Sequence, residues 1–143
     1  MLKRVGIKRA FVQTKPVGMV SVTYNIDPPN IRTEAEFTFF QRIGLQKIYL
    51  LNEQGSTHFR KYYDSKGTVM FDQDIGAWET VDAPWACIYN VEDKVGFRLQ
   101  KHKDAVLHRG REFLNGTLDW IGLNYEANPE NLRFNYDIEL VRS

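Results

Sequence analysis

The chain has 143 residues, of which 43% are hydrophobic and 26% charged, a length and composition typical of one folded domain rather than a disordered chain. Its net charge is +1 and its basic residues are spread along the chain, which disfavours nucleic acid as a partner. No apolar run approaches the ~20 residues of a membrane-spanning helix. We therefore expect residues 1–143 to form a single domain with neither a nucleic-acid nor a membrane partner.

Cysteine usage and the N-terminus bear on the compartment. Cys87 is the only cysteine, so it can form no internal disulfide and has no second thiol with which to bind a metal. The N-terminal sequence MLKRVGIKRAF is basic but lacks the continuous apolar core of a signal peptide. These features favour a soluble, cytoplasmic protein, although they do not fix the compartment, and no cofactor is expected.

The first clear element is a hairpin. Apolar and polar residues alternate through VSVTYNI and IRTEAEFTFF, which flank the turn sequence DPPN. An antiparallel register that opposes Ile26 and Ile31 collects the apolar residues on one face and the polar ones on the other. The pattern predicts one buried face and one solvent-facing side.

Further strands follow in chain order. HFRKYY and TVMFDQ flank a turn that ends at Gly67, and WACIYN and VGFRLQ form a hairpin in which Ile88 opposes Phe97. AVLHRGREFL and TLDWIGL flank Asn115-Gly116, and LRFNYDIELV alternates as the last strand. About ten short strands with frequent turn signals predict an all-β, antiparallel β-sandwich, with a closed calycin-like β-barrel as the alternative.

One face of the third hairpin carries candidate binding residues. Because the apolar side is committed to the core, the alternate residues face away from it; they are Trp85, Cys87, Tyr89, Arg98 and Gln100. Aromatic rings beside a guanidinium and an amide are typical of sugar binding, where rings stack on C–H patches and planar polar groups bond hydroxyls. The alternative is that a second layer covers this face and makes Trp85 a core residue.

The preceding segment, FDQDIGAWETVDAPW, holds four carboxylates and two tryptophans. Asp72 and Asp74 are compatible with a hard cation, and paired carboxylates with glycoside hydrolysis. The spacing completes no calcium loop, so we predict no metal site and interpret most of these acids as solvated turn residues. Trp78 is near enough in sequence to share a site with Trp85.

The histidines show no metal-ligand pattern. His102 and His108 are six residues apart, and His58 is remote from both. On a strand, six residues separate two side chains by ~20 Å, too far to bind one ion. Surface or partly buried strand positions are the simpler interpretation.

The run WETVDAPWACIYNVEDKVGFRLQ, residues 78–100, resembles a segment of galactose-mutarotase-like, or supersandwich, domains, in which a loop with tryptophan and acidic residues precedes two strands. VSVTYNIDPPNIRTEAEFTF is similar to a hairpin of those domains, and the resemblance extends over residues 17–140. It implies a role in carbohydrate handling. The catalytic histidine and glutamate of mutarotases do not map onto His58, His102 or His108, so the resemblance implies a binding or accessory module more than an enzyme.

Our leading hypothesis is a carbohydrate-binding module whose partner is an oligo- or polysaccharide. Its expected ligand-binding residues are Trp78, Trp85, Tyr89, Arg98, Gln100, Asp72 and Asp74. One alternative is a structural protein that uses exposed aromatic residues in a homo-oligomer interface. The other is a calycin-like barrel that encloses a small apolar ligand.

Overall fold

The computed structural model describes residues 15–40, 44–114 and 118–142, and within these ranges the chain forms strands and no helix. The strands in chain order are β1 (Gly18–Asp27), β2 (Asn30–Phe39), β3 (Ile48–Leu50), β4 (Glu53–Gly55), β5 (Phe59–Asp64), β6 (Val69–Phe71), β7 (Glu79–Thr80), β8 (Trp85–Asn90), β9 (Val95–Gln100), β10 (Ala105–Leu114), β11 (Leu118–Ala127) and β12 (Arg133–Arg142). The described ranges accordingly hold no helix long and apolar enough to cross a membrane.

Two antiparallel sheets form the molecule. The larger has seven strands in the order β1-β2-β12-β9-β8-β5-β6, and the smaller has the order β3-β11-β10-β7 with β4 also paired to β11. In the described residues the larger sheet ends at β1 and β6 and does not close on itself. The predicted sandwich is confirmed, and the closed-barrel alternative is wrong.

The hairpin registers agree with the sequence patterns. Ile26 opposes Ile31, and Ile88 opposes Phe97. Gly67, in the β5–β6 turn, has a φ of 83°, the left-handed region that glycine enters without steric cost. β10 and β11 pair over ten residue pairs, while the predicted Asn115-Gly116 turn lies outside the described residues.

The core lies between the two sheets. Tyr62, Ile88 and Leu99 reach it from the larger sheet, and Leu107 and Leu123 from the smaller one. Full burial of each such aliphatic side chain contributes about 1.5–3 kcal/mol. Because these residues occupy alternate strand positions, their neighbours form the two outer faces of the sandwich.

The burial predicted for the first hairpin is wrong for its first strand. Thr33 and Ala35 of β2 are buried as expected, but the apolar residues of β1 remain exposed. β1 is the outermost described strand of the larger sheet, and no β1 residue belongs to the core between the sheets. The alternation therefore predicted correctly which β1 side chains share a face, but it did not show that this face is left exposed.

Candidate functional site

The two tryptophans expected to share a site lie on opposite outer faces. On β8 the core residue Ile88 points inward, so Trp85 points out of the larger sheet. On β10 the core residue Leu107 points inward, and Trp78 lies over the outward side of Gly110, where a Cβ would be 2.6 Å from its ring. The structure therefore does not bring the two tryptophans together.

The outer face of the larger sheet holds a packed set of side chains that we call the Trp85 layer: Tyr63, Trp85, Cys87, Tyr89 and Arg98. The Arg98 guanidinium lies 4.8 Å from the centroid of the Trp85 ring, a cation–π distance, and donates a hydrogen bond of 2.5 Å to Glu139. Tyr63 meets the rings of Trp85 and Tyr89 edge-on, at 5.9 and 6.1 Å. The chain's own side chains thus contact the ring on which a sugar would stack.

The centre of this layer is closely packed. Cys87 is fully buried, and burial raises the pKa of its thiol to about 11, so the thiolate that would act as a nucleophile is disfavoured. A Cβ on Gly96 would lie 2.7 Å from the Tyr89 ring and 2.6 Å from a backbone oxygen. Of the predicted ligand residues on this face, Gln100 is the exposed one, at the end of β9.

Asp72 and Asp74, predicted to act together, lie in different surroundings. Asp72 accepts hydrogen bonds of 2.9 and 2.7 Å from Arg60, and this pairing lowers the pKa of its carboxyl group. Asp74 lies exposed in the turn after β6. In the described ranges no group of three or more His, Cys, Asp or Glu side chains is arranged to hold a metal ion.

The outer face of the smaller sheet has a hollow beside two opposed glycines. Gly110 of β10 and Gly122 of β11 are directly opposed in the register. A Cβ on Gly122 would lie 2.7 Å from the Asn52 carbonyl oxygen, just as one on Gly110 would meet Trp78. Because neither position carries a side chain, the Trp78 ring and the backbone of residues 52–53 occupy the space where a Cβ would lie.

This hollow, which we call the Trp78 groove, has a volume of about 550 Å³, within the usual range for ligand sites. It is lined by Lys47, Tyr49, Leu51, Glu53, Trp78, His108, Glu112, Asn124 and Glu126. Three of the nine are carboxylates and one is a lysine. The groove therefore combines an indole ring with hydrogen-bonding groups and an excess of negative charge.

Glu126 is the most connected polar residue of the groove. Its carboxylate lies 2.9 Å from Lys47 Nζ, accepts a hydrogen bond of 3.2 Å from the Tyr49 hydroxyl and lies 3.2 Å from His108 Nε2. The hydrogen bond from Lys47 is the main reason that the pKa of Glu126 is lowered. These contacts keep Glu126 ionised and hold side chains from β3 and β10 around it.

Two further contacts fix the walls. The buried Asn124 accepts a hydrogen bond of 2.8 Å from the Asn52 N–H and donates one of 3.0 Å to Glu53. On the opposite wall, the Trp78 indole N–H donates to the Glu112 carboxylate. This bond and the contact with Gly110 hold the indole in one position beside the hollow.

Most groove residues were missed by sequence reasoning, although part of the signal was present. The hairpin around Asn115-Gly116 was predicted, and its register opposes His108 to Asn124 and Gly110 to Gly122. Assigning the outward-facing residues from that register would have identified a polar face with two opposed glycines. His108 was instead interpreted as a surface or partly buried strand residue, and the structure places it partly buried on β10.

Comparison with known proteins adds no relative. The chain matches no protein-family model, no curated protein and no solved structure.

Proposed function

We propose that the protein is a carbohydrate-binding module and that the sugar occupies the Trp78 groove. The observation that carries this proposal is the indole of Trp78, held by Glu112 beside an open hollow lined with carboxylate, amide, hydroxyl and imidazole groups. Sugar rings present C–H patches that stack on aromatic rings and hydroxyls that bond to such polar groups. The Trp85 layer offers similar residue types, but Arg98 already covers its tryptophan.

The charge of the groove favours neutral over acidic sugars. Glu53, Glu112 and Glu126 contribute three negative charges and Lys47 one positive charge, a formal balance of −2 over these four side chains. A uronic acid or sulfated sugar would bring like charge into a partly enclosed site, which weakens binding. We therefore expect neutral oligosaccharides to bind better than acidic ones.

Isothermal titration calorimetry against neutral glycans (β-glucan, xylan and galactomannan oligosaccharides) and acidic ones (alginate and polygalacturonate) tests the proposal. Wild type should bind at least one neutral glycan. Trp78→Ala should weaken that binding by roughly thirtyfold, the equivalent of about 2 kcal/mol for a central aromatic contact.

The matched control is Trp85→Ala, which removes a tryptophan from the opposite outer face and should leave the affinity within about twofold. Absence of heat from wild type with every glycan would refute the proposal, and so would equal binding by wild type and Trp78→Ala. Assay of the same mixtures for new reducing ends distinguishes binding from hydrolysis.

A further inference from the structure

The outer edge of β1 combines apolar side chains with an open backbone. In the described residues β1 pairs with β2 on one side, and no strand lies beyond it. Its apolar residues are largely exposed: Val20 at 55%, Val22 at 44%, Tyr24 at 60% and Ile26 at 69%. We call this strand with its four apolar residues the β1 edge.

The β1 edge lacks the features that usually prevent edge-to-edge association. Natural edge strands are shortened, bulged or interrupted by lysine or proline. β1 is ten residues long, its sequence GMVSVTYNID contains no lysine, arginine or proline, and its register with β2 is continuous. The other described edge of the same sheet, β6, has only three residues. A long, regular and mostly uncharged edge is a template for another strand.

We propose that the β1 edge pairs antiparallel with the β1 edge of a second copy of this chain. A two-fold axis perpendicular to the sheet keeps the apolar side of both strands on the same face. With the axis at Thr23, Val20 opposes the partner's Ile26 and Val22 opposes the partner's Tyr24. Aromatic and β-branched residues opposed in this way stabilise antiparallel pairs.

The opposite face of the strand is compatible with the same pairing. Ser21 opposes the partner's Asn25, and Thr23 opposes the partner's Thr23, so polar uncharged side chains face one another at these positions. Asp27, the strand's one charged residue, opposes Met19 of the partner. No like charges are brought together, which is the condition that self-association requires.

The size of the contact sets the expected affinity. A standard interface buries ~800 Å² on each partner, whereas one ten-residue edge is only ~34 Å long and a single strand wide. The pairing therefore belongs with small, reversible interfaces, and the dimer should form in the micromolar range rather than permanently.

Sedimentation velocity across a concentration series tests the association. Wild type should pass from monomer to dimer as concentration rises. Val22→Lys should weaken the dimer on the order of tenfold, because each lysine would oppose the partner's Tyr24 and lie diagonally across the two-fold axis from the other lysine. Val69→Lys is the matched control, because Val69 is a valine at the other edge of the same sheet and is 54% exposed; it should leave association unchanged. A monomer at every concentration, or a dimer that both substitutions affect equally, would overturn the proposal.

Amide hydrogen exchange on wild type tests the mode of pairing and does not depend on a variant. Outward backbone N–H groups of residues 18–27 should exchange more slowly at dimer-forming concentrations, while those of β6 should not change. A dimer that forms without slower exchange in β1 would show that a different surface is used, which contradicts the proposal. Glycan affinity in the same samples reports on the Trp78 groove, so the two proposals fail separately.

Discussion

The two outer faces of the sandwich carry similar residues but use them differently. In the Trp85 layer the tryptophan ring is covered by Arg98 and met by Tyr63, and the Gly96 position is closed off by Tyr89. On the opposite outer face Trp78 likewise closes off the Gly110 position, but a hollow of about 550 Å³ remains beside the indole. Residue type alone does not distinguish a packed aromatic face from one that borders an open hollow; the neighbouring side chains that fill or leave the space do.

The largest expected difference is between the two tryptophans. Trp85→Ala removes a ring that contacts Arg98 and Tyr63, and should lower the free energy of unfolding by about 2–3 kcal/mol, below the range for a fully buried tryptophan because Trp85 is half-buried. Trp78→Ala should cost about 1 kcal/mol, since its ring borders an open hollow. Urea unfolding followed by circular dichroism measures both. Equal losses would mean that the two faces are packed alike.

Close packing in the Trp85 layer can be tested at Gly96, which lies against the Tyr89 ring. Gly96→Ala would place a Cβ 2.6 Å from the Ile88 carbonyl oxygen and 2.7 Å from the Tyr89 ring, so we expect a loss of about 2 kcal/mol from overpacking. Gly55→Ala is the control, because a Cβ there meets nothing within 4 Å, and it should change stability by less than ~0.5 kcal/mol. In thermal unfolding, Gly96→Ala should have a clearly lower melting temperature than Gly55→Ala. Equal melting temperatures would contradict close packing around Gly96.

The corresponding change in the groove is Gly110→Ala. Its Cβ would lie 2.6 Å from the Trp78 ring and 2.8 Å from the Trp78 Cα, so both the indole and the backbone of residue 78 must shift away from β10. We expect about 2 kcal/mol of lost stability, as for Gly96→Ala, and roughly tenfold weaker glycan binding if the proposed function holds. Trp78 emission and calorimetry give the two readouts, with Gly55→Ala again as the control. Unchanged emission would mean that Trp78 is not seated on Gly110.

The smallest effect concerns the pH dependence of stability. The hydrogen bond from Lys47 holds the pKa of Glu126 below its ordinary value of 4.5, so the folded state favours the carboxylate more than the unfolded state does. The contribution of Glu126 is full above about pH 4.5 and is lost as the pH falls through the lower, folded-state pKa. Since the side chain is partly exposed, we expect it to be at most about 1 kcal/mol.

Glu126→Gln tests this pH dependence. Wild type should be more stable than the variant at pH 7, and the difference should narrow below about pH 4.5. Glu130→Gln, a change at an exposed loop residue, provides the control and should show no such narrowing. A constant difference between wild type and Glu126→Gln down to pH 3 would contradict the assigned pairing.

The sequence predicted local pairing well because alternation and turn chemistry are local. Two residues on either side of a turn determine a register, and the register then assigns each side chain to a face. In this way the facing of Trp85, Tyr89 and Arg98 was obtained from the β8–β9 hairpin and agrees with the structure.

The groove required contacts that are distant in sequence. Asn52 and Asn124 are 72 residues apart and Tyr49 and Glu126 are 77 apart, and no local pattern indicates that β3 and β4 lie beside β11. The burial of β1 was equally hard to predict, because it depends on which strands of the larger sheet are covered by the smaller one. Trp78 was predicted as a ligand-binding residue beside Trp85, whereas the structure places the two on opposite outer faces.

The groove's floor and walls come from different parts of the chain. The floor belongs to β10 and β11, the long central hairpin of the smaller sheet, whereas Trp78 lies in the crossing between β6 and β7, and Tyr49 in the three-residue strand β3. Substitutions in the walls can therefore alter the shape and polarity of the groove while the sequence of the hairpin stays the same. A library that varies Tyr49, Leu51 and Trp78 over a constant β10–β11 hairpin would use the fold as a scaffold for new specificities.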